Sequence, residues 1–383
     1  MFHDWKKSEI NFLKKNRKLF TIFQLSQKPE LKRHTYKSIE KKIEIMGFKK
    51  PVIKKAHLKS NKEVNGMEEK KEIVEIEKLE KSLFKILDKK KIIKTPKAEK
   101  VFRGKKQESA VLMLSDFHCG KINYYPDEYG KSEITYNHEI AIKEMNRMLG
   151  SIKDINNLLS YGYTIKKLYI FGLGDLVDNE IIVRGQRHFV EVGVGEQLVW
   201  GVKIFSEMIM ELLKTFESIE FTLIGGNHGR MTQHRELAPF YNSFDYLLGY
   251  SLQLMFKEEK RVKIITPESW FHTVKIYNWS YFLHHGNVVY SWMGFPYYGL
   301  VRQGRSRRAE TDIDIECIGH FHQIMEVPIS SHSITMVNGC WIKNDDFSWR
   351  QYGILSKPQQ WYFGVSPKRP RTWDYKLDLL KEE

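Results

Sequence analysis

The chain has 383 residues, 42% hydrophobic and 13% aromatic, which is enough for one large buried core plus an appendage. It contains no run of 18 or more apolar residues, which argues against a transmembrane helix. The opening Met1-Phe2-His3-Asp4-Trp5-Lys6-Lys7 lacks the apolar stretch of a secretory signal. The net charge of +15 is confined to one region: residues 1–107 carry 32 Lys+Arg against 14 Asp+Glu, whereas the rest carry 30 against 33. A localised positive field of this size favours a polyanion, nucleic acid above all, through counterion release. The three cysteines, Cys119, Cys317 and Cys340, form no disulfide framework, and a reducing, cytoplasmic setting is expected.

Residues 5–48 read as a small helical unit. A first helix over Glu9–Asn16 carries Ile10 and Leu13, with Trp5 and Phe12 nearby. A second carries Ile22, Leu25 and Leu31, shortened by Pro29. A third runs from Tyr36 to Met46, with Ile39, Ile43 and Met46 on one face before Gly47 stops it. Its opposite face bears Lys37, Lys41 and Lys42, preceded by Lys32 and Arg33. Three short helices with a basic third resemble a helix-turn-helix DNA-binding module, in particular those that open some phage-encoded proteins. That resemblance implies contact with the major groove through these five cations. The alternative is a basic three-helix bundle used for protein contact. Residues 51–107 form a basic connector, and 67–91 read as one helix with Ile73, Ile76, Leu79, Leu83 and Ile86 along a stripe. That stripe suits pairing with a second copy of the chain or packing on the main domain. The expected division is 1–50, 51–107 and 108–383.

From Ala110 the texture changes. Ala110–Leu114, Lys167–Phe171, Glu220–Ile224 and Ile313–Ile318 read as strands, with helical patterns at about 137–160, 196–217 and 242–257. Residues 271–277 and 280–284 read as a hairpin turning at Asn278-Trp279. Alternating strands and helices predict an α/β sheet covered on both faces, with its chemistry at one strand edge. Five short clusters follow strands: Asp116-Phe117-His118, Gly174-Asp175-Leu176-Val177-Asp178, Gly226-Asn227-His228, His285-Gly286 and Gly319-His320-Phe321-His322. Carboxylate, imidazole and one amide oxygen suit Mn2+, Fe2+ or Zn2+ better than Mg2+ or Ca2+. Two such ions suit phosphoryl chemistry because they clamp both the attacking and the leaving oxygen.

In this order, over Ala110 to Val337, the clusters resemble the five motifs of the calcineurin-like metallophosphoesterase superfamily. The resemblance implies a β-sandwich flanked by helices and two divalent ions, Mn2+ being the first choice. It also implies that Asp116, His118 and His322 hold one ion and that Asn227, His285 and His320 hold the other, with Asp175 bridging. His228 is then the histidine that protonates the leaving oxygen, and Asp178 orients it. Gly286 favours His285 over His284, which would point to the other side of the strand. His188, His234, His272 and His332 match no motif.

The chain departs from many family members at Gly229, where they carry Asp or Glu after the Asn-His pair. With Asn242-Ser243-Phe244-Asp245 and Phe363–Lys368, this variant resembles a phage-associated subgroup. That adds Arg230 as a phosphate contact. Arg184 and Arg187 follow the second cluster and are further candidates for substrate contact. After His285 come Tyr290, Trp292, Phe295, Tyr297 and Tyr298, then Arg302, Arg305, Arg307 and Arg308, a pattern able to stack bases and track a backbone. The expected activity is that of a phosphodiesterase acting on nucleic acid, a DNA nuclease. The alternatives are a phosphomonoesterase or small-nucleotide phosphatase, or a DNA-binding accessory protein with a structural metal site.

Overall fold

Strand β1 (Lys106–Leu114) shows how the larger part of the molecule is layered. Ala110, Leu112 and Leu114 enter one hydrophobic core, while Val111 and Met113 enter another. A strand of period two that is buried on both faces must lie in the middle of a stack. The computed structural model describes residues 5–16, 31, 39, 42, 95–98 and 104–380, apart from 127–128, 234–239, 293–295, 346–347, 350–352 and 354. The chain divides into two compact units, Met1–Met67 and Glu68–Glu383.

In the second unit β1 pairs in parallel with β4 (Tyr163–Gly172), followed in the same sense by β5 (Ser218–Leu223) and β6 (Val262–Ile265). On its other side lies β12 (Gln359–Val365), antiparallel, and then β13 (Asp374–Asp378) at the edge. A second sheet has the order β10-β11-β9-β8-β7, from β7 (Phe271–Ile276), β8 (Trp279–His284), β9 (Ile315–Ile318), β10 (Met325–Pro328) and β11 (Ile334–Val337). The two sheets pack face to face. Val111, Phe171 and Phe363 of the first meet Val274, Tyr281, Ile315 and Met336 of the second in one cluster. A small ribbon of β2 (Asn123–Pro126) and β3 (Ser132–Tyr136) stands apart from both sheets.

Helices α2 (His138–Leu159), α3 (Val194–Thr215) and α4 (Phe244–Met255) cover the outer face of the first sheet, burying Met148, Ile152, Phe205, Leu212 and Leu248 against it. Asn137 caps α2 by accepting the Ile140 N–H at 2.9 Å. Helix α5 (Tyr297–Glu310) covers the second sheet through Leu300, packed with Ile318, Val327 and Val337. The order of layers is therefore helix, sheet, sheet, helix.

Two expectations need correction. The strands bearing the clusters do not share one sheet: β1, β4 and β5 belong to the first, β8 and β9 to the second. The hairpin turns at Tyr277-Asn278, because Ile276 already pairs with Trp279, and Tyr277 takes the left-handed φ of 55° that so tight a turn requires.

In the first unit, α1 (Lys7–Asn16) starts with the Lys6 N–H donating to Glu9 Oε2 at 2.8 Å. Leu13, Leu31 and Ile39 are buried together, with Trp5 and Phe12 packed against them. Lys42 Nζ lies 5.8 Å from the centre of the Trp5 ring. Lys32, Arg33, Lys37, Lys41 and the expected helix over 67–91 lie outside the described residues. Among the described residues no helix is long and apolar enough to cross a membrane.

Candidate metal centre

The ladder between β1 and β4 runs on past both strands and locks two candidate ligand loops together. The Asp116 N–H donates to Gly174 O at 3.1 Å, His118 to Asp175 O at 2.9 Å, and Cys119 to Leu176 O at 2.9 Å. On the second sheet, the Gly319 N–H donates to His285 O at 2.9 Å. Within Asp116-Phe117-His118 the phenylalanine supplies the anchor: its ring sits edge-on to Phe205 at 5.1 Å and Trp341 at 4.9 Å. Phe321, between His320 and His322, is buried in the core under α5. Each anchor turns its flanking polar residues toward the mouth of the sandwich.

The turn is made with unusual backbone. Asp116, His118, Asp175, His320 and His322 all have φ between 47° and 73°. Asp, Asn and His tolerate this left-handed region better than other side chains, yet each instance still costs about 1–3 kcal/mol. Gly226 is required for a different reason, since a Cβ there would lie 2.1 Å from Asp175 Oδ1.

Three overlapping groups of potential ligand atoms result: Asp116, His118 and His322; His118, Asp175 and His228; and Asp175, His285 and His320. Within each, all atoms lie within 4.8 Å of one another. Asp175 is common to two of them. The ring nitrogens facing away from the centre are held. His118 Nδ1 donates to Asp178 Oδ1 at 2.8 Å, His322 Nδ1 to Asp345 Oδ2 at 2.8 Å, and His285 Nδ1 to Leu173 O at 2.7 Å. Carboxylates and carbonyls only accept, so the proton sits on Nδ1 in all three and Nε2 faces inward. There His118 Nε2 and His322 Nε2 stand 3.2 Å apart. His285 Nε2 is 3.0 Å from both Asp175 Oδ2 and Asn227 Oδ1. Lone pairs facing lone pairs at this range need a cation between them, either a proton or a metal ion.

The electrostatics agree. Burial and the charge of His285 hold His320 down at about 3, a neutral imidazole at any ordinary pH. Burial opposes charge on His285 as well, but Asp175 and Asp116 outweigh it and raise that ring to about 9. His322 is raised the same way by Asp345, whose other oxygen meets Lys121 Nζ at 3.1 Å. Buried carboxylates thus draw cations inward, and the donor set fits divalent metal ions.

His228 closes the mouth. Its backbone N–H donates to Asp175 Oδ1 at 2.7 Å, and its Nδ1 lies 3.0 Å from Asp178 O and 3.2 Å from Asp178 Oδ1. Burial would lower its pKa, but the charges of Asp175 and Asp178 raise it overall. Asp178 therefore serves two rings, His118 and His228.

Several residues around the centre carry no sequence signal. Gln186 donates to Asp178 O at 2.8 Å and Asp178 Oδ2 at 3.1 Å. Asn179 donates to the carbonyls of His228 at 3.0 Å and Arg230 at 2.8 Å. Gln186 is the inward residue of its segment: Arg184 is exposed, and Arg187 pairs with Glu180 at 3.3 Å. The Arg230 guanidinium donates to Thr232 O at 3.0 Å and Gln233 O at 3.2 Å. Of the arginine run, Arg307 and Arg308 turn inward to the buried Glu316, while Tyr290, Trp292 and Tyr298 stay exposed.

No family model matches this chain, and no curated protein does. Solved structures do match. They include Vps29 from Cryptosporidium parvum, at 13% identity and TM-score 0.32, over 68% of this chain and 86% of that one. Another is a 5'-nucleotidase precursor from Thermus thermophilus, at 8% identity and TM-score 0.32, over 70% and 54%. A third is a predicted phosphoesterase from Streptococcus pneumoniae, at 8% identity and TM-score 0.29, over 70% and 98%.

Proposed function

We propose that the chain is a metal-dependent phosphodiesterase acting on nucleic acid, a DNA nuclease with a dinuclear centre of the calcineurin-like metallophosphoesterase kind. The observation that carries the reading is the shared carboxylate: Asp175 groups with His118 and His228 on one side and with His285 and His320 on the other, its Oδ2 3.0 Å from His285 Nε2. Asp116, His118 and His322 would hold one ion; Asn227, His285 and His320 would hold the other; Asp175 would touch both. Bound there, two divalent ions supply Lewis acidity toward phosphoryl oxygens and toward water near neutral pH. Mn2+ is the first choice, with Fe2+ or Zn2+ as alternatives.

The chain's own part is proton management and orientation. Asp178 ties His228 Nδ1, which leaves Nε2 to hand a proton to the departing deoxyribose oxygen. Arg230, Arg184 and Arg187 are proposed substrate contacts, and the basic N-terminal third is proposed to deliver the site to a polyanion. Helix-turn-helix docking through Lys32, Arg33, Lys37, Lys41 and Lys42 belongs to this proposal, as does pairing of two copies through 67–91.

The test compares bis-p-nitrophenyl phosphate with p-nitrophenyl phosphate in added Mn2+, alongside labelled single- and double-stranded DNA. Metal-dependent hydrolysis favouring the diester, with cleavage of DNA, is expected. Preference for the monoester would replace this reading with a phosphatase. DNA binding without hydrolysis of either ester under any of the three metals would leave a structural metal site.

A further inference from the structure

Gly229 follows Asn227-His228, and the space that a side chain there would enter is already filled. A Cβ on Gly229 would lie 2.7 Å from Asp245 Oδ2 and 2.8 Å from Ser243 Oγ. Asp245 reaches this space from the first turn of α4 and is fully buried. Its two oxygens accept four backbone N–H groups. Oδ2 takes those of Asp175 at 3.1 Å and Gly226 at 2.8 Å; Oδ1 takes those of Leu176 at 3.1 Å and Val177 at 3.3 Å. The donors come from two different loops, one bearing Asp175 and the other Asn227 and His228.

We infer that Asp245 is a positioning residue for the metal centre, its carboxylate entering from α4 the space beside Gly229 and fixing the Asp175 loop against the Asn227 loop. Charge-assisted bonds to backbone donors are the strong ones, and the N-terminus of α4 favours the same negative charge. The segment is itself clamped to the site: the Phe244 N–H donates to Gly229 O at 2.6 Å, and Arg230 bridges Ser243. The geometric coupling follows directly. Asp175 and Asn227 sit on loops that follow different strands, β4 and β5, and their oxygens converge on His285 Nε2. A shift of one loop by a fraction of an ångström would open that triangle. The inference rests on the proposed metal centre for its purpose, though the four backbone bonds stand without it.

The experiment uses the full chain, metal-free and with Mn2+. Asp245→Asn keeps the shape but turns an N–H donor toward two of the four backbone donors. Amide hydrogen exchange at Asp175, Leu176, Val177 and Gly226 is expected to rise at least 10-fold. Mn2+ affinity by calorimetry is expected to fall about 10–100-fold, the usual range for a residue that orients ligands. The second variant moves the carboxylate: Gly229→Asp combined with Asp245→Ala. Gly229 has ordinary backbone, so Asp enters without left-handed strain once Ser243 Oγ, 2.8 Å from the new Cβ and without a hydrogen-bond partner among the described residues, turns aside. The pair is expected to regain exchange protection and Mn2+ affinity that Asp245→Ala alone loses, including where that single variant fails to fold. Unchanged exchange and affinity in Asp245→Asn, or a double variant no better than Asp245→Ala, would overturn the inference. A wild type that binds Mn2+ yet cleaves no phosphodiester would defeat the nuclease reading and leave Asp245 untouched.

Discussion

His284 and His285 are neighbours at the end of β8, and they open onto two buried polar networks of opposite logic. His284 points under α5, where its Nε2 donates to Glu316 Oε1 at 2.9 Å. Arg307 meets the same oxygen, while Thr335 Oγ1 at 2.7 Å and Arg308 Nη1 at 3.4 Å meet the other. Every lone pair of that carboxylate has a donor from the chain. His285 points to the mouth of the sandwich, where its Nε2 meets two oxygens that can only accept. One network is closed by the protein itself; the other is closed only by a cation. The difference separates a buried charge that builds structure from one that waits for a ligand.

The strongest way to break this contrast is Asp175→Ala. We expect Mn2+ stoichiometry to fall from two to one or none and phosphodiester hydrolysis to drop at least 10³-fold. The metal-free variant should lose only about 1–3 kcal/mol, the cost of stranding the His228 N–H that Asp175 Oδ1 accepts. Saturating Mn2+ stabilises a binding protein by about 2.7 kcal/mol at 100 times Kd, and the variant should lose that gain. Large destabilisation of the metal-free variant in a thermal melt would show that the centre is a closed network after all.

Glu316→Ala should behave the other way. It strands Arg308 and His284 in the interior, which costs about 3–5 kcal/mol, with metal stoichiometry unchanged. The pH dependence carries the sign. Burial pushes the Glu316 carboxyl up, but His284 and Arg307 outweigh it and hold it at about 2. Its stabilisation is therefore present above about 4.5 and is lost as pH falls toward 2, a span worth roughly 3 kcal/mol. Glu316→Gln should flatten that acid limb in urea titrations. An unchanged limb would mean that the pairing adds nothing.

How much of this was legible in the sequence follows from where each signal lives. Candidate ligands such as Asp116 and His118 are visible because a strand end, a fixed spacing and a buried aromatic between them all occupy three consecutive residues. The second sheet was only partly visible: β7, β8 and β9 could be read, but β10 and β11 are four residues each, too short to show a period. Asp345 and Gln186 were invisible, and Asp245 stood out only within a subgroup-like segment without a role, because only folding brings these residues to the loops they hold. Arg307 and Arg308 illustrate the converse. In sequence they extend a basic run suited to a phosphate backbone, and what reassigns them is one glutamate inside β9 that the fold buries beneath them.

Glu144 sharpens the comparison from the other side of the stack, with a smaller expected effect. It sits on the inner face of α2, 1% exposed, and its Oε2 has no hydrogen-bond partner among the described residues. Burial raises its carboxyl to about 9, against the pull of Arg147. A raised carboxyl stabilises the fold below its unfolded value near 4.5 and loses that contribution as pH climbs toward 9, the reverse of Glu316. The penalty at pH 7 is roughly 3 kcal/mol, less whatever the amide of a replacement forfeits by being buried. Glu144→Gln should therefore gain about 1–2 kcal/mol at pH 7 and remove an alkaline slope of up to about 1.4 kcal/mol per pH unit. Chemical denaturation at pH 5, 7 and 9 reads both quantities. A variant less stable than wild type at pH 9 would mean that a donor reaches this carboxylate, placing it with Glu316 among the closed networks.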